Sequence, residues 1–160
     1  MLSSRLEKIS SLVDNSSEYL WDLCCDHGKF GENYIGKIKS VYFVDVVSDI
    51  VDSLKSRLSR KNFLPQDYEC ITCDASKVQI KNLEQETIVI AGVGGHTCIK
   101  IISSMLKRNL DLKPEFIISP QKNLDKVLDF LYKNGFSIIS HDIIMDRNVK
   151  YDILKTRKES

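Results

Sequence analysis

Between Tyr19 and Ser119 the chain repeats one pattern, a short apolar run that ends on an acidic or glycine-containing turn. The runs are Tyr19 to Leu23, Val41 to Val44, Tyr68 to Cys73, Thr87 to Ala91 and Phe116 to Ser119. Each has the length and the aromatic and β-branched content of a buried strand. Apolar residues at helical spacing follow: Phe30, Tyr34 and Ile35; Ile50, Val51, Leu54 and Leu58; Ile99, Ile102, Met105 and Leu106; and a helix over Leu124 to Lys133 that stops at Asn134-Gly135. Strands separated by helices pair in parallel. The end of the chain differs. Phe136 to Met145 and Val149 to Lys155 are strands joined only by Asp146-Arg147-Asn148, too short a link for a crossover, so they must be antiparallel. Five β-α units closed by a β-hairpin predict an α/β, Rossmann-like fold: a seven-stranded, mostly parallel sheet with a C-terminal antiparallel hairpin.

The 160 residues suit a single domain spanning 1–160. An N-terminal helix is predicted within residues 1–16. Ser4-Arg5-Leu6-Glu7 reads as a capping box, and Leu6, Ile9, Leu12 and Val13 follow at helical spacing. No apolar run reaches a membrane span and the N-terminus lacks a signal-peptide pattern, so a cytoplasmic protein is expected. Five cysteines within apolar patterns read as reduced, buried thiols. Cys70 and Cys73 have a metal-site spacing, but residues three apart on a strand face opposite ways, so no metal is expected. A net charge of +1 excludes a globally basic nucleic-acid binder and leaves only local basic surfaces.

The first strand and turn, Trp21 to Gly31, form the strand-turn-helix by which α/β sheets grip a nucleotide. Asp45 ends the second strand about 20 residues on, where an acid that accepts ribose hydroxyls is expected. Asp74, after the third strand, is either a hydrogen-bond acceptor for an adenine amino group or a solvated acid. Neither G-x-G-x-x-G nor a Walker lysine loop is present, which favours S-adenosyl-L-methionine over NAD or ATP. The loop is unusual for such a ligand: Asp22 is in place, but Cys24 and Asp26 stand at the first two glycine positions and only Gly28 remains. Asp22 and Asp26 could also cap the helix that follows. Gly92-Val93-Gly94-Gly95 ends the fourth strand in a turn that would let a planar base approach backbone, or that is simply tight.

Asp22-Leu23-Cys24-Cys25-Asp26-His27 has companions in Leu2-Ser3-Ser4-Arg5-Leu6, Ala91-Gly92-Val93-Gly94-Gly95, Ser119-Pro120-Gln121 and Tyr151-Asp152-Ile153-Leu154. Together, and in this order, they resemble the bacterial tRNA (adenine(22)-N1)-methyltransferase family, whose members have the class I methyltransferase fold. The resemblance implies S-adenosyl-L-methionine as methyl donor and N1 of a tRNA adenine as acceptor. It assigns Asp22, Cys24, Gly28, Asp45, Asp74 and Gly92 to the cofactor, and Arg5, Gly94, Gly95 and Pro120 to the substrate. Asp26 would accept a hydrogen bond from the exocyclic amine of the target base, and His27 would orient the base or a phosphate; a structural role for His27 at the helix start is the alternative. His96 reads as a rim or surface residue. Members carry a helical C-terminal extension that this chain is expected to lack. Two other readings stand beside this one: a weak or inactive methyltransferase-fold module that binds RNA or protein, pointed to by Cys24, and a methyltransferase for a smaller acceptor. Nothing in the sequence sets an oligomeric state.

Overall fold

The computed structural model describes residues 2–160. Seven strands, β1 (Tyr19–Leu23), β2 (Ser40–Asp45), β3 (Tyr68–Thr72), β4 (Glu86–Ala91), β5 (Glu115–Ser119), β6 (Phe136–Asp146) and β7 (Val149–Lys158), form one sheet in the order β3-β2-β1-β4-β5-β7-β6. The first five are parallel and β7 runs antiparallel to both β5 and β6. The predicted fold class is the one observed.

The helices are α1 (Ser4–Leu12), α2 (Lys29–Glu32), α3 (Ser48–Ser59), α4 (Gly95–Arg108) and α5 (Leu124–Lys133). Because parallel strands are covered on both faces, their apolar runs feed two cores. On one face Leu23, Ile88, Ile90 and Phe116 meet Ile102 and Met105 of α4 and Leu131 of α5. On the other, Leu20, Phe43, Val89 and Ile117 meet Ile9 of α1, Phe30 of α2 and Leu54 and Leu58 of α3. Cys70 packs into the second core and Cys73 into the first, on opposite sides of the sheet as strand alternation requires.

Two expectations need correction. The connection from β3 to β4 carries no α-helix, only a 3-10 turn over Ala75–Lys77, so four β-α units rather than five precede the hairpin. Buried Glu86 organises this stretch: its carboxylate accepts hydrogen bonds from the backbone N–H groups of Lys81 and Leu83 and from Trp21 Nε1. The start of α1 is also one residue earlier. Ser3 is the N-cap, its hydroxyl accepting from the Leu6 N–H, which removes the reciprocal Ser4–Glu7 box.

The hairpin reaches back to α1. The Arg5 N–H donates to Asp146 Oδ2 at 3.1 Å, and Lys8 pairs with Asp142 at 3.2 Å. Its turn, Arg147-Asn148, has φ of 53° and 63°, the left-handed pair that a two-residue hairpin of native twist demands.

Candidate functional site

The strand order reverses beside β1, where β2 and β3 lie on one side and β4 and β5 on the other. In an open α/β sheet that divergence leaves a crevice at the strands' carboxyl ends. A cleft of about 840 Å³ occupies it, lined by Asp22, Cys24 and Cys25 from β1 and its turn, Asp45 and Val46 at the end of β2, Cys73 to Ala75 after β3 and Ala91 to Val93 at the end of β4.

Asp22 is the most constrained group in the cleft. It is 6 % exposed, because β1 is paired on both sides, and Oδ2 accepts the N–H of Gly31 in the first turn of α2 at 3.2 Å. The capping role is therefore realised. No cation faces this carboxylate among the described ion pairs. Burial pushes its pKa up to about 7, the Gly31 N–H opposes the shift, and the nearby Asp45 charge adds to it.

The turn after β1 keeps the shape a glycine loop would have. Cys24 and Asp26 adopt φ of 59° and 50°, in the left-handed region, although neither is glycine. The Cys25 N–H bonds to the Val44 carbonyl and the Asp26 N–H to Asp45 Oδ2 at 3.1 Å, so the loop is fixed to the end of β2. Cys24 packs against the α4-side core as well as lining the cleft, and burial holds its thiol up at about 11. Such a thiol is a poor nucleophile at neutral pH.

Asp45 has Oδ1 on the Val47 N–H and Oδ2 on the Asp26 N–H, one donor on each oxygen, which leaves lone pairs facing the cleft. Asp74 is more committed. It caps the 3-10 turn through the Ser76 N–H and hydroxyl, and Oδ2 meets Lys100 Nζ of α4 at 3.2 Å. The Ser76 hydrogen bonds, then Lys100, lower its pKa to about 2, so it stays ionised, with a part-exposed Oδ2 shared with Lys100. The side chains of Asp26 and His27 are exposed at the mouth, 3.6 Å apart. His27 does not cap α2, whose N-cap is Gly28; its carbonyl accepts from Arg57 Nη2 at 2.7 Å.

Four of the assigned glycine and proline positions lie outside the cleft lining. A Cβ on Gly28 would meet Leu54 at 2.8 Å, so this glycine serves the packing of the turn on α3 and needs its φ of 70°. Gly95 opens α4 against the Lys122 carbonyl, with 2.7 Å to an added Cβ, while Gly94 faces the Lys122 side chain and Pro120 is buried. Gly92, with φ of 79° and open space around it, is the glycine of that turn that lines the cleft. His96 is exposed and does not line it.

The cleft also carries cations. Arg5, Lys29 and Arg147 line it, with Tyr151 beneath Arg5 at 4.7 Å from guanidinium carbon to ring centroid. Sequence reasoning found Arg5, but Lys100, Gln121, Arg147 and Tyr151 enter the lining through packing of α4, the β5–α5 loop and the hairpin over the strand ends. Gln121 and Tyr151 had a signal, their places in Ser119-Pro120-Gln121 and Tyr151-Asp152-Ile153-Leu154.

The methyltransferase domain family matches this chain over residues 2–154. The chain belongs to that family. A Mycoplasma pneumoniae protein called "Putative tRNA methyltransferase" is 29% identical over 161 residues, covering 98% of this chain and 72% of that protein. Among solved structures, the m1A22 tRNA methyltransferase TrmK of B. subtilis superposes with a TM-score of 0.87 at 22% identity, covering 100% of this chain and 68% of the other. TrmK of M. capricolum, in complex with the cofactor product S-adenosyl-homocysteine, gives 0.84 at 19%, covering 100% and 70%. At those identities the structural likeness establishes the fold. Among the described residues, no helix is long and apolar enough to cross a membrane.

Proposed function

We propose that this methyltransferase domain binds S-adenosyl-L-methionine in the cleft and methylates N1 of an adenine in tRNA, in the cytoplasm. The observation that carries the cofactor half is Asp22, a buried carboxylate facing a cleft with no cation to meet it. A cationic ligand fits that lack, and Asp26, Asp45 and Asp74 extend the same negative lining. The names of the relatives supply the acceptor.

The cofactor would contribute a methyl group on a sulfonium, open to direct displacement. Asp22 would hold a cationic group of the ligand, and Asp45, its oxygens pre-oriented by two backbone donors, would accept ribose hydroxyls. Asp74 retains Oδ2 toward an adenine amino group in competition with Lys100. Cys24 and Gly92 would border the ligand on either side. At the mouth, Asp26 would accept from the exocyclic amine of the target base, drawing electron density toward N1, and His27 and Arg5 would orient the nucleotide. No proton-transfer relay is needed; alignment alone is worth roughly 7–11 kcal/mol.

A weaker or non-catalytic module is the second reading, favoured by Cys24 at a left-handed position. The test is calorimetric titration with S-adenosyl-L-methionine, then transfer of labelled methyl groups to unmodified tRNA and mapping of the product. Binding with incorporation at N1 of adenine is expected; binding with no incorporation into any tRNA would overturn the tRNA acceptor and leave the non-catalytic module or a smaller acceptor.

A further inference from the structure

We propose that Arg147, at the tip of the β6–β7 hairpin, is an RNA phosphate contact that seats the acceptor strand across the hairpin side of the cleft. The proposal rests on the tRNA reading above and names a residue which that reading does not. Three observations support it.

The first is placement. The tip is not loose: Asp146 accepts the Arg5 N–H, so the residue preceding Arg147 is tied to the opening turn of α1 and the tip is held over the cleft that Arg147 lines.

The second is charge that the fold leaves unused. Several basic residues are committed elsewhere: Lys39 to Glu18, Arg57 and Lys61 to Glu32, Lys155 and Arg157 to Glu115, and Arg108 to the carbonyls of Ser76 and Val78. Among the described residues, no carboxylate lies within ion-pair distance of Arg147, Arg5 or Lys29. These three line the same cleft as five aspartates, and Arg5 and Arg147 gather around only one of them, Asp146, so the positive charge beside the hairpin exceeds the negative and draws an anion there. A phosphodiester beside the target base is the anion that fits, and a guanidinium can grip two of its oxygens at once.

The third is a local rule broken at this residue. Arg147 has φ of 53° in a turn where glycine, asparagine or aspartate is the conformationally natural choice. An arginine there adds nothing to the turn, and its side chain faces the cleft instead.

The test separates fold from function because the two should move in opposite directions. Fluorescently labelled, unmodified tRNA is titrated with wild type, Arg147→Gly, Arg147→Gln, Arg147→Lys and the remote control Lys133→Gln at several KCl concentrations, alongside thermal melts and titration with S-adenosyl-homocysteine. The glycine variant should melt at or above the wild-type temperature yet bind tRNA about 5- to 10-fold more weakly at low salt, with the salt slope reduced by about one. The glutamine variant should show the same binding loss, the lysine variant should recover most of it, and Lys133→Gln and all affinities for S-adenosyl-homocysteine should be unchanged. Wild-type tRNA affinity and slope in the glycine and glutamine variants would overturn the assignment while leaving the tRNA reading intact. Wild-type protein that binds S-adenosyl-homocysteine but no tRNA at low salt would overturn both.

Discussion

Asp22 is an acid whose folded-state pKa is raised, so its ionisation costs stability instead of adding it. Below the unfolded value near 3.8 both states are protonated and the cost is absent; it grows between there and about 7, and is complete above. At 1.36 kcal/mol per unit the ceiling is about 4 kcal/mol. Asp22→Asn keeps an oxygen for the Gly31 N–H and removes the charge. It should therefore raise the melting temperature at pH 8, leave it nearly unchanged at pH 4, and lose most affinity for S-adenosyl-homocysteine. A variant destabilised at both pH values would show that the carboxylate is a structural necessity. Cys24 tests the same loop differently. Glycine would relieve a left-handed cost of about 1–2 kcal/mol, offset by about 0.5–1 kcal/mol of added chain entropy and by lost thiol packing. Stability should change by less than about 1 kcal/mol, and the readout is cofactor affinity, expected to rise as the backbone becomes approachable. Unchanged or weaker binding in calorimetry would show a loop adapted to cysteine and remove the main ground for a non-catalytic module.

At the scale of elements, the turn that opens α4 is decided by backbone contact. A methyl group on Gly95 would come within 2.7 Å of the Lys122 carbonyl and 2.8 Å of the Asn123 carbonyl, neither of which can rotate away. Gly95→Ala gains up to about 1 kcal/mol of helix propensity, while forced shifts in a packed interior cost about 1–3 kcal/mol. Net destabilisation in urea unfolding is expected; a stabilised Gly95→Ala would mean that the β5–α5 loop can move aside. The strands and the long helices were legible because periodicity is local and their runs are strongly apolar, and the antiparallel hairpin followed from a link too short to cross. The missing third helix was less so, because the residues after Asp74 are arranged by Glu86 and Trp21, partners that meet only after β1 and β4 pair. Gly94, Gly95 and Pro120 were assigned to the substrate by the resemblance alone, and the sequence could not show that the β5–α5 loop brings the Lys122 and Asn123 carbonyls against Gly95.

For the whole molecule, charge sets how RNA can be held. With a net charge of +1, the unpaired cations that line the cleft and could meet phosphates beside the target base are Arg5, Lys29 and Arg147. Under the proposed function the target base must also leave its stacked surroundings before N1 can meet a methyl group, at a cost of a few kcal/mol. Two or three phosphate contacts give a logarithmic salt slope of about −2 to −3, so a fourfold rise from 50 to 200 mM salt should weaken tRNA binding roughly 15- to 60-fold. Weak binding that collapses with salt is thus expected of this domain, with slow methyl transfer at 50 mM salt and almost none at 200 mM. Cofactor binding should move far less, because its contacts are short-range hydrogen bonds and a partly buried charge that salt screens poorly. The check is labelled methyl incorporation into unmodified tRNA across that range, with S-adenosyl-homocysteine affinity measured at each point. A fall in both together would mean that salt acts on the fold or the cofactor site. A cofactor affinity that holds while methylation persists at 200 mM would require more phosphate contacts than the cleft offers, and would place tRNA on a second surface of the molecule.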